Sequence, residues 1–131
     1  MCLAEVHNGG TLQLFWNSSG MLVPEGIEGF KVIEMPTMAS LLENAAKPLG
    51  SPYPRDRDDR WDAMLSASGY SKRRLKSMFK KQENLYLAFY EATEKLHFDK
   101  LDQQIWKCAK TENGGFQEAA TRYAQSIQFV Q

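Results

Sequence analysis

"EGIEGFKVIEMPTMASLLENAAK", residues 25–47, is the stretch on which the fold turns. Ile27, Phe30 and Ile33 recur at the spacing of one helical face, and Pro24 suits the first turn of a helix running Glu25 to Glu34. Pro36 breaks that helix, because proline has no amide hydrogen to give to the preceding turn. Thr37 is then placed to cap a second helix, Met38 to Lys47, on which Leu41, Leu42 and Ala45 share a side. Nothing here alternates with period two, the mark of a half-buried strand.

The same punctuation continues outward in both directions. Upstream, Asn8-Gly9-Gly10 stops a short lead-in, Thr11 caps Leu12 to Asn17, and Ser18-Ser19-Gly20 ends it. Downstream, Pro48, Gly50, Pro52 and Pro54 impose a loop, and Asp56 to Ala67 is helical again with Trp61, Met64 and Leu65. Ser71 to Gln82 is basic, and the run that follows sets Leu85, Phe89, Ala92 and Leu96 on a buried stripe. Asp99 caps Lys100 to Thr111, where Leu101, Ile105, Trp106 and Cys108 or Ala109 face inward. A second Asn-Gly-Gly, Asn113 to Gly115, stops that helix before a last one, Phe116 to Phe129. Asn and Gly tolerate the left-handed conformation at a helix end, so both triplets read as helix stops. Beyond the triplet the two copies do not align, which rules out an internal repeat. The expectation is an all-α fold: one compact domain over residues 1–131, about seven short-to-medium helices, with the C-terminal helices over 71–129.

Composition narrows the function. Lys plus Arg and Asp plus Glu both number 16, so the net charge is zero and nothing global advertises nucleic acid or a membrane. Cys2 and Cys108 form no framework and read as reduced thiols, which favours the cytoplasm. No leader-like start or long apolar run is evident, which argues against secretion and membrane spanning. Neither His7 nor His97 adjoins a nucleophile or carboxylate pair, and no metal, phosphate-loop or dinucleotide motif occurs. The reading is a protein that is not an enzyme, with no catalytic residue, no metal and no cofactor.

Three constellations remain. Asn8, Gln13 and Asn17 surround one turn, where their side chains are expected to tie loop backbone groups together rather than to line a polar ligand pocket. "RDRDDRW" sets Asp56, Asp58, Asp59 and Asp62 among Arg55, Arg57 and Arg60. Three guanidiniums compete for those carboxylates, which favours a solvated helix start with local ion pairs over a metal site or a phosphate mimic. Lys72, Arg73, Arg74, Lys76, Lys80 and Lys81 surround Leu75, Met78 and Phe79 on an amphipathic helix. A solvated face is the simpler reading there, and an acidic macromolecule is the alternative.

"VHNGGTLQLFWNSSG", with the Pro-led helix, the capped helix and "YPRDRDDRW", resembles the DNA-mimic protein nineteen-like family. The family pattern falls on Val6, Asn8, Gly9, Gly10, Gln13, Leu14, Phe15, Asn17 and Gly20, then on Ile33, Tyr53, Pro54, Asp56, Arg57 and Arg60. The resemblance covers about residues 3–66. Thr11 stands where the family usually has Phe, and seven residues precede Asn8 where the family carries a helix or more. A missing helix predicts an apolar groove over Leu12 and Phe15, suited to oligomerisation or a partner helix. The resemblance implies an all-α, non-catalytic regulator, a possible homodimer, whose acidic surface occupies the DNA-binding face of a transcription factor. Mimicry needs dense negative charge, and the place for it here is Asp56, Asp58, Asp59 and Asp62. Two further partners stay open: a toxin neutralised by an immunity-type protein, and nucleic acid bound by the basic helix 72–81.

Overall fold

The computed structural model describes residues 10–70, 80 and 90–130, without the side chains of 128–130. The fold is all-α, and no strand occurs among the described residues. Helix α1 covers residues 10–16 and leads into a 3-10 turn, Ser18–Leu22. Then come α2, Val23–Val32, and α3, Pro36–Ala46, which continues into a 3-10 turn over Lys47–Leu49. α4 is Arg57–Ala67, and residues 90–92 are helical ahead of a 3-10 turn at Glu94–Leu96. α5, Phe98–Thr111, and α6, Phe116–Val130, flank a final 3-10 turn, Glu112–Gly114. No described helix is long and apolar enough to cross a membrane.

The α2–α3 corner shows how the proline signal works. Pro24 and Pro36 both sit at the start of their helices, where the missing amide hydrogen costs nothing. Glu34 takes the left-handed conformation (φ 62°), and the Met35 and Glu34 amides close back on the carbonyls of Phe30 and Lys31. Two returning bonds around a left-handed residue make a Schellman turn, here with buried Phe30 and Met35 as its apolar contact. α4 ends the same way at Gly69 (φ 83°), with the Tyr70 and Gly69 amides on the Leu65 and Ser66 carbonyls. The core lies where α2 and α5 meet α3, and its fully buried members include Leu14, Phe15, Met35, Met38, Met64 and Ile105.

Several expected caps are not side-chain caps. Thr11 lies inside α1 and is completely buried, since α1 begins at residue 10. Thr37 does not cap α3: Met35 holds the N-cap position without a side-chain bond, and Glu112 supplies the acceptor from beyond α5. Asp99 belongs to the first turn of α5, whose N-cap is the left-handed His97 (φ 55°). Trp106 faces outward, 40% exposed under the Lys110 ammonium, because Ile105, Cys108 and Ala109 take the inward positions. Leu12 and Phe15, the residues expected to underlie a groove, are both buried, and Leu12 lines a small cavity of about 90 Å³ between α1 and the start of α5. The Phe15 ring packs on Phe98 at 5.5 Å and on Tyr53 at 6.3 Å.

Candidate functional site

The two halves of the motif fasten each other. Arg60, one turn into α4, has none of its surface exposed and no carboxylate as its partner there. Its Nε donates to the Phe15 carbonyl at 3.0 Å, Nη1 to that of Arg55 at 2.6 Å and Nη2 to that of Asn17 at 2.5 Å. The Phe15 and Asn17 carbonyls stand at the end of α1, where that of Asn17 also accepts the Gly20 amide at 3.1 Å, and a guanidinium presents its donors in a fixed fork that fits them. Burial holds the Arg60 guanidinium below its usual range, yet an arginine keeps its proton at any ordinary pH. Tyr53 adds a 2.7 Å bond from its hydroxyl to the Gly20 carbonyl.

Gly20 has a specific cause. A Cβ there would lie 2.6 Å from the Leu14 carbonyl oxygen and 2.8 Å from Arg60 Nε. The glycine is required by close approach rather than by a left-handed backbone. Beside it, Trp16 and Trp61 stack at 4.2 Å, and Trp61 Nε1 donates to the Trp16 carbonyl at 3.0 Å. Arg57 lies over the Trp61 ring at 4.5 Å and gives Nε to the same Trp16 carbonyl at 2.9 Å. Arg55 reaches the Met21 carbonyl at 2.7 Å and pairs with Glu25 at 2.8 Å.

That arrangement corrects the expected ion pairs within "RDRDDRW". Its three guanidiniums go to backbone carbonyls, an indole and Glu25. Asp56, Asp58, Asp59 and Asp62 are all exposed on the outer side of α4. Asp56 caps the helix by accepting the Asp59 amide at 3.2 Å, and Asp58 and Asp59 occupy the first turn, where the helix dipole favours negative charge. Arg60 and Tyr53 tie the α1 loop to α4 and to the loop before it, a role also expected of Asn8, Gln13 and Asn17. Phe15 contributes a core ring, Gln13 and Asn17 are half-buried, and Asn8 and Gly9 lie outside the described residues. Of the basic set, Lys80 is exposed, while Lys72, Arg73, Arg74, Lys76 and Lys81 lie outside the described residues.

Two carboxylates that the sequence does not single out join distant helices. Asp102 of α5 takes both the amide and the hydroxyl of Thr11, at 2.7 and 2.5 Å, and so caps α1 from outside. A Cβ on Gly10 (φ 80°) would overlap that carboxylate, which explains the third residue of the first Asn-Gly-Gly. Glu112 accepts the Thr37 and Met38 amides at 2.8 and 2.9 Å and the Cys108 thiol at 3.1 Å. Burial, helped by that carboxylate, pushes the Cys108 thiol up to about 12. The second triplet is a joint as well as a stop: Asn113 (φ 52°) donates to the Ile33 carbonyl at 3.1 Å, and Arg122 binds its carbonyl and its side-chain oxygen. Among the described residues no group of three His, Cys, Asp or Glu side chains could hold a metal ion.

The motif that holds α1 to α4 is matched by a wider likeness, since the model of the DMP19-like protein family covers residues 1–127. The chain belongs to the DMP19-like protein family. No curated protein and no solved structure matches it. The family match runs well past the quoted motif and takes in Asp102 and Glu112, the two carboxylates that cap α1 and α3 across the fold. Within this DMP19-like chain Gly20, Tyr53 and Arg60 join α1 to α4 by direct packing, and the charged side chains left exposed around the start of α4 are its four acids with Arg55 and Arg57.

Proposed function

We propose that this chain is a non-catalytic, protein-binding regulator that offers the acidic start of α4 to the basic, DNA-contacting face of a partner such as a transcription factor. One observation carries the reading. Of the arginines interleaved with Asp56, Asp58, Asp59 and Asp62, Arg60 is completely buried and Arg55 is paired with Glu25. The exposed start of α4 then carries four carboxylates against one further guanidinium, Arg57, which is exposed and lies on the Trp16 carbonyl and the Trp61 ring. Positions 56 to 62 cover about 9 Å of helix axis, so the four carboxylates are spaced by about 3 Å on average. A single strand of duplex DNA carries a charge about every 3.4 Å, so a surface evolved for phosphates meets a similar spacing here. A thiol pushed up to about 12 is a poor nucleophile at neutral pH, so Cys108 is suited to packing rather than to covalent chemistry.

The test is a tagged pull-down from nuclease-treated lysate with the native chain and with the Asp58→Asn, Asp59→Asn, Asp62→Asn variant. One protein retained by the native chain, released by added salt and lost from the variant, is the expected result. Equal retention by both chains, or loss of every partner with the nuclease, overturns the reading.

A further inference from the structure

Between α1 and the start of α5 lies a cavity of about 90 Å³, lined by Leu12, Tyr90, Thr93, Glu94, Phe98, Asp99 and Asp102. Its walls differ in chemistry. Leu12 and Phe98 are buried and apolar, Tyr90 is an aromatic ring 43% exposed, and Glu94 and Asp99 are exposed. Asp102 is committed to Thr11, and Tyr90 donates its hydroxyl to the Asp99 carboxylate at 3.2 Å. No described cation pairs with Glu94 or Asp99. The nearby carboxylates, Asp99 first and then Asp102 and Glu94, hold the Tyr90 phenol above its usual range, so negative charge gathers around its hydroxyl.

We propose that this cavity receives the side chain of an arginine from a protein partner. An apolar floor suits the methylene stem, a phenol ring suits the face of a delocalised cation, and two exposed carboxylates suit its fork of donors. A hydrated ammonium matches the apolar floor less well than the more weakly hydrated guanidinium. The inference rests on the protein-binding reading for its partner, but the cavity is tested without one.

The probe is N-acetyl-arginine amide, titrated into the full-length protein and followed by two-dimensional NMR. The expected result is saturable shifts centred on the amides of Thr93, Asp99 and Asp102, absent with N-acetyl-norleucine amide, which has the stem without the charge. Glu94→Gln with Asp99→Asn leaves Asp102 in place to cap α1 and is expected to weaken the probe about tenfold, the loss of a charge-assisted contact. Tyr90→Phe keeps the ring and frees Asp99, so the probe binds it at least as tightly. Tyr90→Ala weakens the probe severalfold. Shifts that ignore the double variant, that spread equally over the α4 acids, or that appear with the norleucine probe overturn the proposal. The α4 triple variant leaves this titration unchanged, so a failure here and a failure of the α4 reading are told apart.

Discussion

Arg60 in α4 donates from Nε to the carbonyl of Phe15 in α1 at 3.0 Å, and its guanidinium has no surface left in water. A buried cation satisfied only by carbonyls is a joint that no other side chain reproduces. Lysine has donors but no planar fork, and methionine has no donor, so each takes away the side-chain donors that reach the Phe15, Arg55 and Asn17 carbonyls, of which that of Asn17 keeps a second donor, the Gly20 amide. Arg60→Lys and Arg60→Met are both expected to destabilise the fold, by about 2–4 kcal/mol, from unsatisfied buried acceptors. Urea unfolding followed by Trp16 and Trp61 fluorescence reads this directly. A change within about 0.5 kcal/mol, the scale of ordinary surface substitutions, would show the clamp to be ornamental.

Gly20 and Gly29 make a paired test. Gly20→Ala sets a methyl 2.8 Å from Arg60 Nε and 2.6 Å from the Leu14 carbonyl oxygen, where neither neighbour has room to move. Overpacking of this kind costs about 1–3 kcal/mol. Gly29 lies inside α2, and a methyl there would meet nothing within 4 Å, so Gly29→Ala stabilises by about 0.5–1 kcal/mol through the unfolded chain. Thermal unfolding midpoints of the two variants should move in opposite directions. A fall in both would mean that helix α2 needs Gly29 for a reason other than packing.

Much of this fold is legible in the sequence because its helix ends are written in proline and glycine. Pro24, Pro36, Gly69 and the Asn113 triplet act at short range, and the structure places helix boundaries beside each of them. The caps are a different matter. Thr37, Asp99 and Thr11 are residues with good local capping chemistry, but the acceptors used by α3 and α1 come from Glu112 and Asp102, more than seventy residues away. No local window contains such partners. The same limit hides the site: "RDRDDRW" looks self-neutralising along the chain, and only the fold shows its arginines claimed by the carbonyls of Phe15, Trp16 and Asn17. The one hint in the sequence is that the Gly20 and Arg60 positions belong to a single family pattern, which the structure explains as direct packing.

Cys108 should be chemically quiet in the folded chain. Its thiol, 8% exposed and hydrogen-bonded to Glu112, is held up to about 12, so almost none of it is thiolate at pH 8. Iodoacetamide at pH 8, followed by peptide mass spectrometry, is expected to leave the Cys108 peptide unmodified in the native chain and to label it rapidly in denaturant. Equal labelling under both conditions would mean that α5 opens readily at this point.

Glu112 makes stability depend on acid. Burial raises its carboxyl, but the amides of Met38 and Thr37 and the Cys108 thiol outweigh that, and the net effect holds it below the ordinary 4.5. A carboxyl whose folded value lies below its unfolded one binds fewer protons when native. Its contribution is therefore complete above about 4.5 and is lost as pH falls through the lower, folded value. Glu112→Gln keeps one acceptor for the start of α3 and gives up the charge, at a cost of about 1–2 kcal/mol near pH 7. As pH falls through the folded value the native carboxyl also gains its proton, so the two chains converge, with the native curve falling more steeply. Urea midpoints of both chains between pH 3 and pH 7 test this. Curves that stay parallel across that range would mean that the Thr37 and Met38 amides do not depend on the Glu112 charge.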